Sequence, residues 1–173
     1  MSDNNLNKKA QDLLKLGYKE FINKKYESAE KLFKEAINLQ PDSAEAHAWI
    51  AAVYGRKIDA VWSLTEKIEL FPLLEKEINM ALELDHTLPM ARRMNGSKLL
   101  NTPDMLGGDP AAAIKEFQYC IDQGMNDIEL WISIARSYIK IAAPVKAKEA
   151  LKEAAKLEPK SKQIAELMQQ VEG

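Results

Sequence analysis

The chain has 173 residues, of which 46% are hydrophobic and 29% are charged, and its formal net charge is −2 at pH 7. This composition excludes a disordered chain and supports one folded domain, since domains commonly hold about 100–200 residues. The lack of a basic excess argues against a general nucleic-acid-binding protein.

The cysteine content and the N-terminal segment predict a cytoplasmic protein. Cys120 is the one cysteine of the sequence, so no internal disulfide can form. The segment MSDNNLNKKAQDLLKLGYKEF has no apolar core of the kind that a signal peptide needs. The apolar run AWIAAVY is far shorter than the roughly 18 residues of a membrane span, so we expect no membrane insertion.

The first predicted element is a pair of helices over residues 10–43, AQDLLKLGYKEFINKKYESAEKLFKEAINLQPDS. Gly17 and Ala29 are small, as is expected where two helices cross closely, and a proline ends the second helix. The positions that define the pair are Leu13, Leu16, Gly17, Ala29, Phe33, Ala36 and Pro41.

A second pair is predicted over residues 44–88 and a third over 89–127, each with extra residues between its helices. The second pair has about eleven extra residues near positions 55–73, and the third has about five in a loop at 101–109. Pro72 either kinks a helix or starts one, and the sequence leaves both alternatives open.

The loop of the third pair contains two adjacent glycines, in NTPDMLGGDPAAAIKEF, which raises the question of phosphate binding. A phosphate-binding loop would need a preceding strand and a Lys followed by Ser or Thr, and neither is present. We instead expect a connection in which Gly107 and Gly108 turn the backbone with positive φ, Asp109 caps the next helix and Pro110 begins it.

The fourth pair is predicted over residues 128–161, and a short capping helix over 161–171 follows it. The apolar side chains of the short helix fall on one face, which should cover the exposed end of the fourth pair. The positions in phase with the first pair are Trp131, Ile134, Ala135, Tyr138, Ala147, Leu151, Ala154 and Pro159, and the apolar face comprises Ile164, Leu167, Met168 and Val171.

These recurring positions resemble the tetratricopeptide repeat (TPR), a helix–turn–helix unit of about 34 residues. The resemblance implies an all-α fold: a right-handed α-solenoid of about four TPR helix pairs with a C-terminal capping helix, in a single domain over residues 1–173. The insert and the LGGDP connection make the middle similar to variant TPR proteins, the regulators of microtubule dynamics and the TPR component of some bacterial uptake transporters. This similarity implies a shared architecture and nothing about function.

No residue pattern predicts catalysis, and no metal ligands, cofactor or catalytic residues are expected. His47 and His86 lie in different repeats, without His or Cys at metal-ligand spacing. We expect His47 to be a core or semi-core residue, His86 to be exposed, and Cys120 to be a buried, unreactive thiol because no activating base accompanies it.

The TPR resemblance implies that the first helix of each pair lines a concave surface. Its apolar residues are interleaved with arginine and lysine, which suits a peptide or protein partner with acidic groups or a free C-terminus. The candidate groove residues are Tyr18, Phe21, Trp49, Arg56, Met90, Arg93, Ser97, Ile132, Arg136 and Lys140. Leu14, Ile22, Met94, Leu100 and Ile139 also project toward this face. The same residues would also be expected if the apolar ones packed between helices and the charged ones were only solvated. The sequence leaves both interpretations open.

The leading functional prediction is a non-enzymatic scaffold or adaptor that binds its partner in this groove. The Lys and Asn clamp with which some TPR proteins hold chaperone tails is not matched. One alternative is self-assembly as a homo-oligomer, through apolar residues of the insert that would otherwise pack on repeat three: Trp62, Leu64, Leu70 and Phe71. Another alternative is a small-molecule or lipid-binding pocket beside the insert.

Overall fold

The computed structural model describes residues 3–172, with the side chains of residues 5–172, and over that range it is helical without strands. The all-α prediction is confirmed. The helices are α1 (Asp3–Ile22), α2 (Tyr26–Leu39), α3 (Ala44–Ala60), α4 (Leu64–Leu84), α5 (Pro89–Asn101), α6 (Pro110–Asp122), α7 (Ile128–Lys140), α8 (Pro144–Leu157) and α9 (Lys162–Glu172). The chain forms two compact units, the first up to Met94 and the second from Asn95 onward. The single-domain organisation and the repeat boundaries stay predictions.

The first unit is built from α1 packed on α2, α2 on α3, and α3 on α4. Its core contains Phe33, Ile50, Val53 and Ile78, each at most 1% exposed. Gly17 lets α1 approach this core closely, because a Cβ atom there would lie 2.5 Å from Cε1 of Phe33. The small residue that the sequence places at the crossing is therefore required by an aromatic ring on α2.

Helix α4 begins at Leu64 and continues without interruption through Pro72. Ser63 caps its N-terminus, since the Ser63 hydroxyl accepts a hydrogen bond from the backbone N–H of Glu66 at 3.3 Å. Pro72 lies inside the helix, so the alternative in which a helix starts there is wrong.

The second unit has its core between α6, α7, α8 and α9, with Leu100 of α5. Phe117, Leu130 and Leu151 are buried, and Phe117 lies against Gly96 as Phe33 lies against Gly17. Ile164 of α9 is 5% exposed and joins the same core. The C-terminal helix thus packs on the end of the second unit through its apolar face.

The loop between α5 and α6 is a tightly built connection. A 3₁₀ turn at Asp104–Leu106 leads to Gly107 at φ 93°, so the predicted positive φ is confirmed there. At Gly108 that prediction is wrong, because its φ is not positive; this glycine is required instead by close approach, since a Cβ there would lie 1.9 Å from the carbonyl oxygen of Thr102. Asp109 accepts a hydrogen bond from the backbone N–H of Ala112 at 2.9 Å, and the helix begins one residue after Asp109. The predicted cap is confirmed.

Candidate peptide-binding surface

An aromatic cluster joins the first helices of the first unit. The ring centroid of Trp49 on α3 lies 5.0 Å from that of Tyr18 and 5.4 Å from that of Phe21, both on α1. On its other side Trp49 stacks on Phe33, at 5.9 Å between centroids and 14° between planes. Phe21 and Trp49 are half-buried in the core, whereas Tyr18 is 45% exposed. The cluster therefore presents a supported aromatic edge to solvent.

Aliphatic and cationic groups extend this aromatic edge. Ile22, one turn after Tyr18 on α1, is 57% exposed. Arg56 is exposed on α3, seven residues after Trp49, which places it on the same side of the helix about 10 Å further along. A Cβ atom at the neighbouring Gly55 would meet no atom within 4 Å. The surface thus combines an apolar ledge, open space and one guanidinium group.

The remaining candidates of the first unit lie on α5. Met90 is half-buried and packs against a small cluster of alanines, Ala48, Ala81 and Ala91. Arg93 is also half-buried. Met90 therefore contributes to packing between helices as much as to a surface.

The predicted site residues of the second unit differ in how deeply they are buried. Ile132 is 4% exposed and belongs to the core, so its side chain supports the surface from beneath and does not line it. Ser97 is half-buried and Arg136 is exposed. The Lys140 ammonium donates a hydrogen bond to the carbonyl oxygen of Leu100 at 2.6 Å, which ties the end of α7 to the end of α5. Arg136 is thus the more available cation of α7.

A charged network on α2 and α3 was missed by the sequence analysis. Glu30 accepts hydrogen bonds from Lys34 at 2.6 Å, Lys57 at 2.5 Å and the Tyr54 hydroxyl at 3.1 Å. Burial raises the pKa of Glu30, but the hydrogen bonds and the positive charges of Lys34 and Lys57 together outweigh it, so the pKa lies below its ordinary value. The spacing of Glu30 and Lys34 could have been found, whereas the other partners lie on a different helix.

The histidines and the cysteine occupy the predicted environments. His47 is 8% exposed, with its Nδ1 atom 2.6 Å from a carboxylate oxygen of Glu77 and its Nε2 atom 3.3 Å from the carbonyl oxygen of Pro41. His86 is exposed and Cys120 is fully buried. His47 therefore joins α3 to α4 and to the turn before α3.

The described residues, 3–172, also bear on metal binding, surface pockets and membrane spans. No group of three or more His, Cys, Asp or Glu side chains is placed there to hold a metal ion. Two surface depressions are open to solvent, and the one on α2 is lined by Glu27, Glu30, Lys31, Lys34, Glu35 and Asn38. Of the helices described, none has the length and apolar character that crossing a bilayer requires.

Comparison with known proteins finds the same repeat at both ends of the chain. A family model described as TPR repeat matches residues 17–57, and one described as tetratricopeptide repeat matches residues 105–171. Together the two ranges cover more than half of the chain. A search of curated protein sequences found no match.

Solved structures of helical-repeat proteins are similar to the chain. PilF of Pseudomonas aeruginosa is 18% identical, with a TM-score of 0.71 over 96% of this chain and 69% of its own. A MamA fragment from Desulfovibrio magneticus is 15% identical, with a TM-score of 0.62 over 95% of this chain and 93% of its own. YrrB, described as a TPR protein with an unusual peptide-binding site, is 18% identical, with a TM-score of 0.50 over 91% of this chain and 90% of its own. At these identities the likeness shows the solenoid fold alone.

Proposed function

Because the chain belongs to the tetratricopeptide-repeat family, whose fold generally serves as a non-catalytic interaction module, we propose that it is a non-enzymatic adaptor that binds a peptide. The peptide lies on the first-helix faces, and the adaptor works in the cytoplasm. One observation carries the proposal: the aromatic edge of Tyr18, supported by Trp49, shares a face of the first unit with the exposed Arg56.

The aromatic edge is suited to an apolar side chain of the peptide. Tyr18 and Ile22 are the exposed members of this ledge, and Trp49 beneath them is held between Phe33 and the α1 side chains. Such a rigid platform loses little conformational entropy on binding, which favours aromatic anchors at interfaces.

Arg56 supplies the second point of recognition. Its guanidinium can donate two hydrogen bonds to one carboxylate, either an acidic side chain or a free C-terminus. The separation of about 10 Å from Trp49 corresponds to roughly three residues of extended peptide. We therefore expect an apolar residue and a carboxylate spaced by about three positions.

The second unit carries the remaining candidate groove residues. Arg136 is exposed on α7, and Ser97 on α5 is half-buried. In this proposal Arg136 can bind an acidic group at the second unit's own surface, while Ile132 and Lys140 maintain the packing of α7. The similarity to YrrB supports peptide binding as a use to which this fold is put.

The proposal is tested by selection from a displayed library of random peptides with free C-termini. Wild type should enrich peptides with the apolar and acidic spacing above. Tyr18→Ser should lose the apolar preference and Arg56→Glu the acidic preference, whereas Lys152→Glu, the same charge change at an exposed position of α8, should select as wild type does. Enrichment that is absent, or unchanged in both groove variants while they remain folded, would refute it.

A further inference from the structure

An apolar surface without cover lies at the start of α4 and contains none of the residues of the proposed groove. Trp62 is 100% exposed, Leu64 is 72% exposed and Ile68 is 63% exposed. The other apolar residues of the insert differ, because Leu70 and Phe71 pack against the core of the first unit. The structure therefore divides the insert into a packed part and an exposed part, and we name the exposed part the Trp62 patch.

The Trp62 patch is preformed. Ser63 caps the helix immediately after Trp62, so the backbone that carries the patch is held by hydrogen bonds. Leu64 and Ile68 are four residues apart and share one flank of the helix. A partner can therefore bind the patch without first ordering its backbone, which reduces the entropic cost of association.

The same flank of α4 is a packing surface further along the helix. Leu82 lies five turns after Leu64 on this flank, and it packs on the alanine cluster defined above. The flank is thus covered near the end of α4 and uncovered over its first two turns.

Charge indicates which occupant fits the patch. The exposed side of the first turns of α4 is uncharged, because it is formed by Leu64, Thr65, Ile68 and Pro72. The charged side chains of Lys67 and Glu69 lie toward opposite edges of this side. A surface that attracts anionic lipid or nucleic acid would need a basic excess, which these turns lack because they carry Glu66 and Glu69 against Lys67.

We propose that the Trp62 patch is a contact between two copies of this chain. A second copy brings an identical uncharged apolar surface, and a two-fold contact uses the same patch on both subunits. Because the centre of the patch is uncharged, two copies that meet there bring no like charges together.

The size of the patch predicts a weak dimer. Its three side chains expose on the order of 400–500 Å² per copy, which is within the roughly 300–600 Å² of the largest apolar patch on a typical monomer, a patch that often serves in binding. Two copies would bury roughly 1,000 Å², just below the range of about 1,200–2,000 Å² for stable interfaces. We therefore expect dimers that form at high micromolar concentration and dissociate on dilution.

Sedimentation velocity from about 5 to about 500 µM tests the proposal, since a weak dimer changes its population across that range. Wild type should shift from monomer toward dimer. Trp62→Ser and Ile68→Lys should each raise the dissociation constant at least tenfold while the circular dichroism spectrum is retained, because both side chains are exposed. Met105→Ser removes an apolar side chain that is 89% exposed in the second unit and should leave the dimer unchanged.

Tryptophan fluorescence provides a second readout. The difference spectrum between wild type and Trp62→Phe should move to shorter wavelength over the same concentration range, as Trp62 leaves water. A wild type that stays monomeric at the highest concentration overturns the proposal. So does a dimer that survives both patch variants, or a monomer whose Trp62 emission shifts on uncharged phosphatidylcholine vesicles. Because no patch residue takes part in the groove, the peptide selection above succeeds or fails independently.

Discussion

Gly17 and Gly55 occupy opposite environments on the first helices of the first unit. A Cβ atom at Gly17 would press on the ring of Phe33, which is fully buried in the core, whereas at Gly55 it would meet nothing within 4 Å. Both residues lie inside helices, where alanine is preferred over glycine by roughly 0.5–1 kcal/mol. The packing environment therefore decides the sign of each substitution.

Gly17→Ala should destabilise the protein and Gly55→Ala should stabilise it. Overpacking against Phe33 costs about 1–3 kcal/mol, which exceeds the gain in helix propensity, while Gly55→Ala keeps the full gain of roughly 0.5–1 kcal/mol. Urea unfolding monitored by circular dichroism measures both variants against wild type. Equal shifts of the same sign would contradict the close approach of α1 to Phe33.

The Glu30 network connects α2 to α3 through charge. Lys34 belongs to the same helix as Glu30, whereas Tyr54 and Lys57 reach it from α3. Burial alone would raise the pKa of Glu30, so the lowered pKa shows that the two lysines favour the ionised carboxylate. The network is partly solvated, and we expect it to contribute about 1 kcal/mol.

This contribution should depend on pH in a defined direction. A carboxyl whose pKa is lowered in the folded state stabilises the protein above its unfolded-state pKa, near 4.5, and loses that contribution as the pH falls through the folded-state value. Glu30→Gln should therefore lower the free energy of unfolding by about 1 kcal/mol at pH 7, and by much less near pH 3.

Urea titrations of wild type and Glu30→Gln at both pH values measure this difference. Glu35→Gln, at an exposed position of the same helix, serves as the control and should show little change at either pH. A difference for Glu30→Gln that is independent of pH would mean that its hydrogen bonds, and not its charge, stabilise the pair of helices.

At the scale of the whole molecule, local signals allowed much of the fold to be predicted. Capping residues and prolines mark where several helices start, as Asp109 with Pro110 does for α6. The register of small and large residues also identified Gly17 as a crossing point, which the ring of Phe33 confirms. These features depend on residues that are neighbours in the sequence or on one repeated spacing, so a single amino-acid sequence is enough to identify them.

The depth of the candidate site residues could not be predicted in the same way. Ile132 and Arg136 are four residues apart on α7, yet the first is in the core and the second is exposed. Trp62 and Phe71 belong to one insert, yet Trp62 is exposed and Phe71 packs against the core. Burial at such positions depends on which other helix lies above them, and the spacing along one helix does not contain that information.

The two units have separate apolar cores, which leads to a prediction about the C-terminal helix. The core of the second unit includes Ile164 of α9, whereas the core of the first unit is formed by side chains from α1 to α4 with Met94. A repeat buries its apolar face only against its neighbours, so the last helix should stabilise the unit that it covers.

Ile164→Ser should lower the free energy of unfolding by about 2–4 kcal/mol, because it removes a buried side chain and places a hydroxyl in the core. Ala165→Ser, at the exposed neighbouring position, is the matched control and should change stability by less than about 0.5 kcal/mol. Hydrogen exchange read by mass spectrometry locates the effect. In Ile164→Ser the amides of α7 and α8 should exchange faster by a larger factor than those of α2 and α3. Equal acceleration in both units would show that they unfold as one cooperative body and that α9 stabilises the entire chain.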